Sequence, residues 1–257
     1  MSKVVVVTGG TRGIGQGLVR EFAARGAKVV FCGRSHEAVE RASALVPGAF
    51  GVVADVTDRD AVRHLWDAAV ERFGAVDIWV NNAGMSLPNR KLWEHEPADL
   101  DAIIDLNLRG LLHASAVVLG AMTAQGHGAL WNMEGFGSNG MTRAGMTPYG
   151  STKRAVTYAT DSLAKEVEGT GVTVHHLSPG IVATDLLRGD YTAQEWAKAK
   201  KIFNILADRV ETVTPWLAEK VLAGKSNGGR VAWLTRGKAF ARFATAFRKR
   251  DIFGEES

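Results

Sequence analysis

The chain has 257 residues, 46% of them hydrophobic, with 31 basic against 27 acidic side chains and a net charge of +4. That length and apolar share suit one globular domain, residues 1–257, with a large buried core, and the near balance of charge makes no case for a nucleic-acid partner. One cysteine, Cys32, rules out an internal disulfide and a cysteine-rich zinc site, and no unbroken apolar run of about 18 residues offers a transmembrane helix.

The opening segment is KVVVVTGGTRGIGQGLVREFAARGAKVVFCGR. Val4 to Val7 is a continuous β-branched run, as expected of a strand buried on both faces. Because the chain enters this strand at once, no secretory signal is expected, and a cytoplasmic location is. Gly9, Gly13 and Gly15 follow, and from Ile14 the apolar positions Ile14, Leu18, Phe22 and Ala23 recur at helical spacing. Gly26 stops that helix, and Lys28 to Cys32 is a second strand, with Cys32 an inert buried thiol. A strand, a glycine turn and a helix N-terminus form a phosphate cradle: glycines admit the pyrophosphate and the helix supplies amide donors.

The alternation continues. Ala49 to Ala54 is a third strand ending at Asp55, Asp58 caps a helix that runs to Phe73, and Val76 to Val80 is a fourth strand followed by Asn81-Asn82-Ala83-Gly84. Pro88 to Pro97 is an irregular connection with Trp93 as its expected anchor. Ala98 to Met122 is one long helix, His127 to Met133 a fifth strand, and Glu134 to Pro148 a loop. Tyr149 to Glu168 is a helix, and Val172 to Leu177 a strand that ends at Ser178-Pro179-Gly180. An excursion with helical pieces spans 184–207, then a helix covers Glu211 to Ala223 and a last strand Gly229 to Leu234. Strand–helix alternation of this kind implies a doubly wound parallel sheet with helices on both faces, an α/β/α sandwich of Rossmann type.

Tyr149 and Lys153 stand four apart in a helical run, so phenol and ammonium share one face. A nearby cation favours the phenolate, which is how a tyrosine becomes a usable acid or base near neutral pH. The glycine turn, Asp55, the Asn81–Gly84 segment, Asn107, the Tyr149–Lys153 pair, Pro179-Gly180 and Thr184 follow one another in an order that resembles the short-chain dehydrogenase/reductase family over nearly the whole chain. The resemblance implies about seven parallel strands, a nicotinamide cofactor, a small-molecule carbonyl or alcohol substrate, and a homodimer or homotetramer. It also implies an Asn-Ser-Tyr-Lys constellation. Tyr149 would exchange the proton, Lys153 would tune it and hold the nicotinamide ribose, and Asn107 would support a relay water. The family's serine usually stands thirteen residues before the tyrosine, where this chain has Phe136. Ser138 is the only serine between Asn132 and Tyr149 and is assigned the carbonyl-orienting hydroxyl; Thr142 or a backbone amide is the alternative. Glu134 contacts substrate or caps a loop amide.

The cofactor side is expected to comprise Gly9, Thr11, Arg12, Gly13, Ile14 and Gly15, with Asp55 on the adenine amino group and Val56 against the ring. Asn82, Ala83 and Gly84 would line the adenosine and ribose path; Pro179, Gly180, Val182 and Thr184 would shape the nicotinamide pocket. After Cys32 the chain has Gly33-Arg34-Ser35 rather than an acid, with Arg12 in the glycine turn. Two guanidiniums suit a 2′-phosphate, so NADP(H) is expected rather than NAD(H).

Four further stretches, WNMEGFGSNG, SPGIVATDLL, KIFNILADRVETVTPWLAEKVL and GGRVAWLTRGKAFARFATAFRKRDIF, resemble the chlorophyll b reductase branch, whose members reduce a formyl group of a large pigment. A bulky, largely apolar carbonyl substrate is therefore implied; reduction of steroid-like or acyl-thioester carbonyls is the alternative. A non-catalytic dinucleotide-binding regulator would be expected to have a damaged Tyr-Lys pair, and here the pair is intact. The 184–207 segment would be a substrate lid, with Leu186, Leu187, Tyr191, Trp196, Ile202, Phe203 and Ile205 facing the substrate, the core or another subunit. In the basic-aromatic tail, 236–257, Phe240, Phe243 and Phe247 recur at helical spacing among Arg242, Arg248, Lys249 and Arg250. A helix lying on a membrane surface and one packed on a partner subunit both fit that pattern.

Overall fold

The computed structural model describes residues 2–188, 191, 193–246 and 250–253. Its first half runs β1 (Val4–Val7), α1 (Gly13–Ala24), β2 (Lys28–Gly33), α2 (His36–Leu45), β3 (Phe50–Val53), α3 (Arg59–Phe73) and β4 (Ile78–Asn81). Then come α4 (Pro97–Ile104), α5 (Gly110–Gln125), β5 (Gly128–Met133), α6 (Thr147–Glu166) and β6 (Val172–Ser178). The excursion comprises β7 (Val182–Ala183), α7 (Asp185–Arg188), α8 (Ala193–Leu206) and β8 (Asp208–Arg209), and α9 (Val210–Ala223), β9 (Arg230–Ala232) and α10 (Arg236–Ala244) follow.

Seven strands form one parallel sheet in the order β3-β2-β1-β4-β5-β6-β9. The order reverses between β1 and β4, which opens a crevice beyond their carboxyl ends, the usual ligand position in such sheets. Alternate side chains of each strand serve different faces. Val5 and Val7 pack with Leu18, Phe22, Val213 and Leu217 of α1 and α9. Val6 packs on the other face with Leu65, Trp66, Val118 and Met122 of α3 and α5. Within this apolar sandwich the Asn81 amide donates to the Asn132 carbonyl at 2.9 Å, and the Asn132 amide donates to the Thr160 hydroxyl at 3.0 Å. These bonds satisfy buried amides that would each cost about 1–3 kcal/mol unpaired, and they fix β4, β5 and α6 in register.

Several expectations change. Helix α2 carries no clear sequence signal, because only Val39 and Ala42 of its ten residues are buried, which leaves little apolar periodicity. Ser35 starts it: the hydroxyl accepts the Ala38 N–H, so this side chain is a helix cap. The long helix is not uniform, since Asp105–Arg109 forms a π-type turn between α4 and α5 that carries Asn107. The run Pro97–Gln125 is long and apolar enough to cross a membrane by composition alone; half of its most apolar window is buried, with Ala114, Val118 and Met122 packed in the core against the sheet. Trp93 anchors nothing, for 80% of its surface is exposed. Its ring lies instead 5.5 Å beneath the Lys91 ammonium.

The tail returns to its own chain. Arg242 and Arg250 meet the buried Asp208 carboxylate at 2.7 and 2.6 Å, and the Trp233 indole donates to it at 2.6 Å. Burial works against that carboxylate, but the indole and the two guanidiniums outweigh burial and hold it below its ordinary value. Phe253 packs edge-on against Trp196 of α8, whose ring also neighbours Tyr191 and Phe203. The lid aromatics therefore form a cluster with the tail. Phe240 and Phe243 of α10 stay exposed, and Phe247, Arg248 and Lys249 lie outside the described residues.

Candidate active site

The glycine turn after β1 is held by side chains from the turn after β4. The Thr8 hydroxyl accepts the N–H groups of Asn82 and Ala83, both at 3.0 Å. The Asn82 amide donates to the carbonyls of Thr8 at 2.9 Å and Gly9 at 3.2 Å. Asn82 thus braces the turn. Thr8 was not among the expected site residues, although it stands at the head of the glycine motif. A β-carbon on Gly15 would lie 2.1 Å from the Gly9 carbonyl oxygen, so the helix can approach the turn only with glycine there. Arg12, at the N-terminal edge of α1, makes no capping bond through its side chain, which leaves the first amides of the helix free for an anion. A dinucleotide pyrophosphate fits this cradle.

Other expected cofactor residues gather around it. Thr11 lies over Gly33 at the end of β2, and Thr184 lies over Gly13. Arg12 and Arg34 are both exposed, and neither side chain has an ion pair or hydrogen bond among the described residues. One Asp55 oxygen accepts the Thr57 N–H at 2.9 Å and hydroxyl at 2.8 Å. The Val56 side chain is buried in the core beside Gly110 rather than standing free for an adenine ring.

On the reaction side, Tyr149 and Lys153 lie in the first two turns of α6, with the Lys153 ammonium 5.8 Å from the tyrosine ring centre. Lys153 is buried and donates to the Met133 carbonyl at 3.2 Å. Burial pulls the ammonium down to about 8, against the opposing pull of the Glu134 charge, and burial pushes the phenol up to about 12. No described residue hydrogen-bonds the Tyr149 hydroxyl. Asn107 accepts the Met85 N–H at 2.8 Å and donates to the Met85 carbonyl at 2.9 Å and the Thr152 hydroxyl at 3.1 Å. That hydroxyl in turn donates to the Tyr149 carbonyl at 2.8 Å, so Asn107 ties the loop after β4 to the turn that carries Tyr149.

Two assignments come out differently. The Ser138 hydroxyl accepts the Gly135 N–H and donates to the Lys153 carbonyl, each at 3.2 Å, and is buried. Glu134 neither reaches outward to a substrate nor caps a loop amide: its carboxylate is buried 3.2 Å from His176 and 2.8 Å from Arg230. Burial opposes its ionisation, and those two partners outweigh burial and hold it below the usual range. Only the pairing of β5 with β6, with Met133 beside Leu177, brings Glu134 and His176 together. Their separation along the chain gave no signal.

This fold and site define a dehydrogenase: the chain belongs to the short chain dehydrogenase family, whose pattern it matches over residues 3–195. Among curated proteins it is 35% identical, over 98% of its length and 77% of the relative, to chlorophyll(ide) b reductase NOL, chloroplastic, of Arabidopsis thaliana. Among solved structures it is similar to 3-ketoacyl-(acyl-carrier-protein) reductase from Brucella melitensis complexed with NADH, with 26% identity, TM-score 0.80, and 90% and 96% of the two chains covered. It is also similar to ElxO with NADP bound, with 27% identity, TM-score 0.77, and 90% and 97% covered. The chain is an oxidoreductase built to hold a nicotinamide dinucleotide.

Proposed function

We propose that this chain is an NADP(H)-dependent reductase of a bulky, largely apolar carbonyl compound, of the chlorophyll b reductase kind. The observation that carries the reading is the 35% identity to a chlorophyll(ide) b reductase across 98% of the chain, universal motifs and tail alike. A nicotinamide held by the glycine turn and Lys153 would supply the hydride for the carbonyl carbon. The chain's own part is to place and protonate. Tyr149 gives its phenolic proton to the carbonyl oxygen as the alcohol forms. Lys153, charged beside it, stabilises the phenolate that remains. Leu186 and Ile202, exposed on the excursion, offer apolar area to a large substrate, as pockets for such ligands require. The two unpaired guanidiniums of Arg12 and Arg34 support NADP(H), because a 2′-phosphate can take paired charge-assisted bonds from both.

A homo-oligomer belongs to the same proposal. Leu108, Leu112, Tyr158 and Leu163 line an apolar groove between the π-type turn, α5 and α6, and a second copy of the chain is its proposed occupant. The likeness to the 3-ketoacyl reductase favours a second substrate reading, an acyl-thioester carbonyl.

The test is a substrate panel: formyl-bearing tetrapyrroles, polycyclic ketones, 3-ketoacyl thioesters and short aldehydes, each with NADPH and NADH. Turnover should be highest with a bulky apolar carbonyl and NADPH. Arg34→Ala should weaken NADPH by about tenfold, equivalent to about 1.4 kcal/mol, and leave NADH nearly unchanged. Preference for short aldehydes over every bulky compound would defeat the substrate reading, and equal affinity for the two cofactors would defeat the NADP reading.

A further inference from the structure

Resting on the reductase reading above, we infer that Gly135 occupies the place beside the Tyr149 hydroxyl where the family's reaction uses a serine. Ser138 is a positioning residue that pins the loop beneath that tyrosine. Hydride transfer here runs without a serine hydroxyl on the substrate oxygen.

A β-carbon built on Gly135 would fall 2.3 Å from the Tyr149 hydroxyl oxygen, 3.0 Å from the ring carbon that bears it, and 3.1 Å from Cγ of Lys153. No real β-carbon tolerates the first of these distances. The phenol occupies its position because residue 135 has no side chain, and any larger residue must displace the acid itself. Phe136, at the spacing where the family's serine usually stands, is one residue further on.

Ser138 does a different job. Its hydroxyl uses its one proton on the Lys153 carbonyl and accepts the Gly135 N–H, each at 3.2 Å. Its own carbonyl accepts from Arg154 at 3.0 Å and from the Thr157 hydroxyl at 3.1 Å, and its N–H donates to the Gly135 carbonyl at 3.2 Å. The 135–138 turn is thereby laced onto α6 directly beneath Tyr149 and Lys153. A hydroxyl whose proton is spent on a buried main-chain carbonyl has none for a substrate oxygen. Thr142, the other hydroxyl weighed for the role, is exposed. The Asn107 amide is taken up by Met85 and Thr152. That leaves Tyr149, whose hydroxyl no described residue hydrogen-bonds, as the side chain free to meet the substrate oxygen over the bare Gly135 backbone.

The test compares Tyr149→Phe, Ser138→Ala and Gly135→Ser with the parent, using NADPH and the best carbonyl from the panel, with NADPH affinity, melting temperature and the pH profile of kcat measured in parallel. Tyr149→Phe should lose about 10²–10⁴ in kcat, the worth of a general acid. Ser138→Ala should stay within about tenfold of the parent, keep the parental pH profile, and lose melting temperature and NADPH affinity together as the turn loosens. Gly135→Ser should lower kcat although it supplies the family's side chain. A loss of about 10²–10³ in Ser138→Ala with melting and NADPH affinity unchanged would be the cost of a missing oxyanion donor and would overturn the inference. Gly135→Ser matching or exceeding parental kcat would overturn it equally, and decides the matter if Ser138→Ala does not fold. Full turnover in Tyr149→Phe would instead remove the reductase reading on which the inference stands.

Discussion

The two ends of the crevice are built by different means. At the cofactor end, two turns that follow adjacent strands are bonded to each other through Thr8 and Asn82, and among the described residues no charged side chain is buried there. At the reaction end a buried lysine, a buried glutamate and a histidine–arginine pair sit under one loop. The first end is main-chain geometry that neutral hydrogen bonds hold rigid. The second holds a buried ammonium, Lys153, that has no ion pair among the described residues, which costs stability and gives Tyr149 its chemistry. Substitutions in the glycine turn should therefore act through shape, and substitution of the buried Lys153 through charge.

The sharpest test of shape is Gly15→Ala. The added carbon would stand 2.1 Å from the Gly9 carbonyl and 2.5 Å from the Asn82 amide nitrogen, so the turn must open. NADPH affinity should fall by at least about 100-fold, or about 2.7 kcal/mol. Stability should fall by the cost of overpacking, about 1–3 kcal/mol, seen as a lower melting temperature. Fluorescence titration and a thermal melt measure the two separately. Cofactor affinity within about threefold of the parent would show that the turn yields to shape after all.

Charge is tested by Lys153→Met, which should inactivate the enzyme and stabilise the fold. The buried ammonium has its value pulled from 10.5 to about 8, chiefly by burial. The unfolded chain therefore binds the extra proton between about 8 and 10.5, so stability from this group rises with pH across that window. Below about 8 the full cost is present, on the order of 3 kcal/mol. Removing the lysine relieves it, less about 1 kcal/mol for the Met133 carbonyl that loses its donor. The melting temperature without cofactor should rise at pH 7, and the gain should shrink as the pH rises from about 8 and be gone above about 10.5. A lower melting temperature at pH 7 would mean that the ammonium is a net stabilising contact.

The same division explains what was legible in the sequence. The glycine turn, the Asn81–Gly84 segment and the Tyr149–Lys153 pair depend on spacings of a few residues, and the structure gathers them around one crevice. Glu134 directly follows β5, His176 is in β6 and Arg230 in β9, and only the β5-β6-β9 order makes them neighbours. Helix α2 hides because it buries two side chains, and Ser35 reads equally well as a ligand contact until its hydroxyl is seen capping that helix. Gly135 is the least legible of all. Nothing in a sequence marks a glycine as the place where a β-carbon would meet a phenol 14 positions away in a folded loop-to-helix contact.

The smallest expected effects separate two tryptophans that a sequence ranks alike. Trp93 is 80% exposed, so Trp93→Ala should change stability by no more than about 0.5 kcal/mol. Trp196 stands among Tyr191, Phe203 and Phe253 with ring centres 5.7, 6.1 and 5.2 Å away, and it joins α8 to the tail. Each such contact contributes about 0.5–1.5 kcal/mol beyond area, but the cluster lies apart from both faces of the central sheet. Its loss should free the lid locally instead of unfolding the domain. Trp196→Ala should therefore leave the main melting transition within about 2 °C. It should speed proteolysis within 184–207 and raise KM for the bulky substrate without changing NADPH affinity. If Trp196→Ala lowers the main transition as strongly as Gly15→Ala, the lid and tail are part of the cooperative core and the two ends of the crevice are not independent.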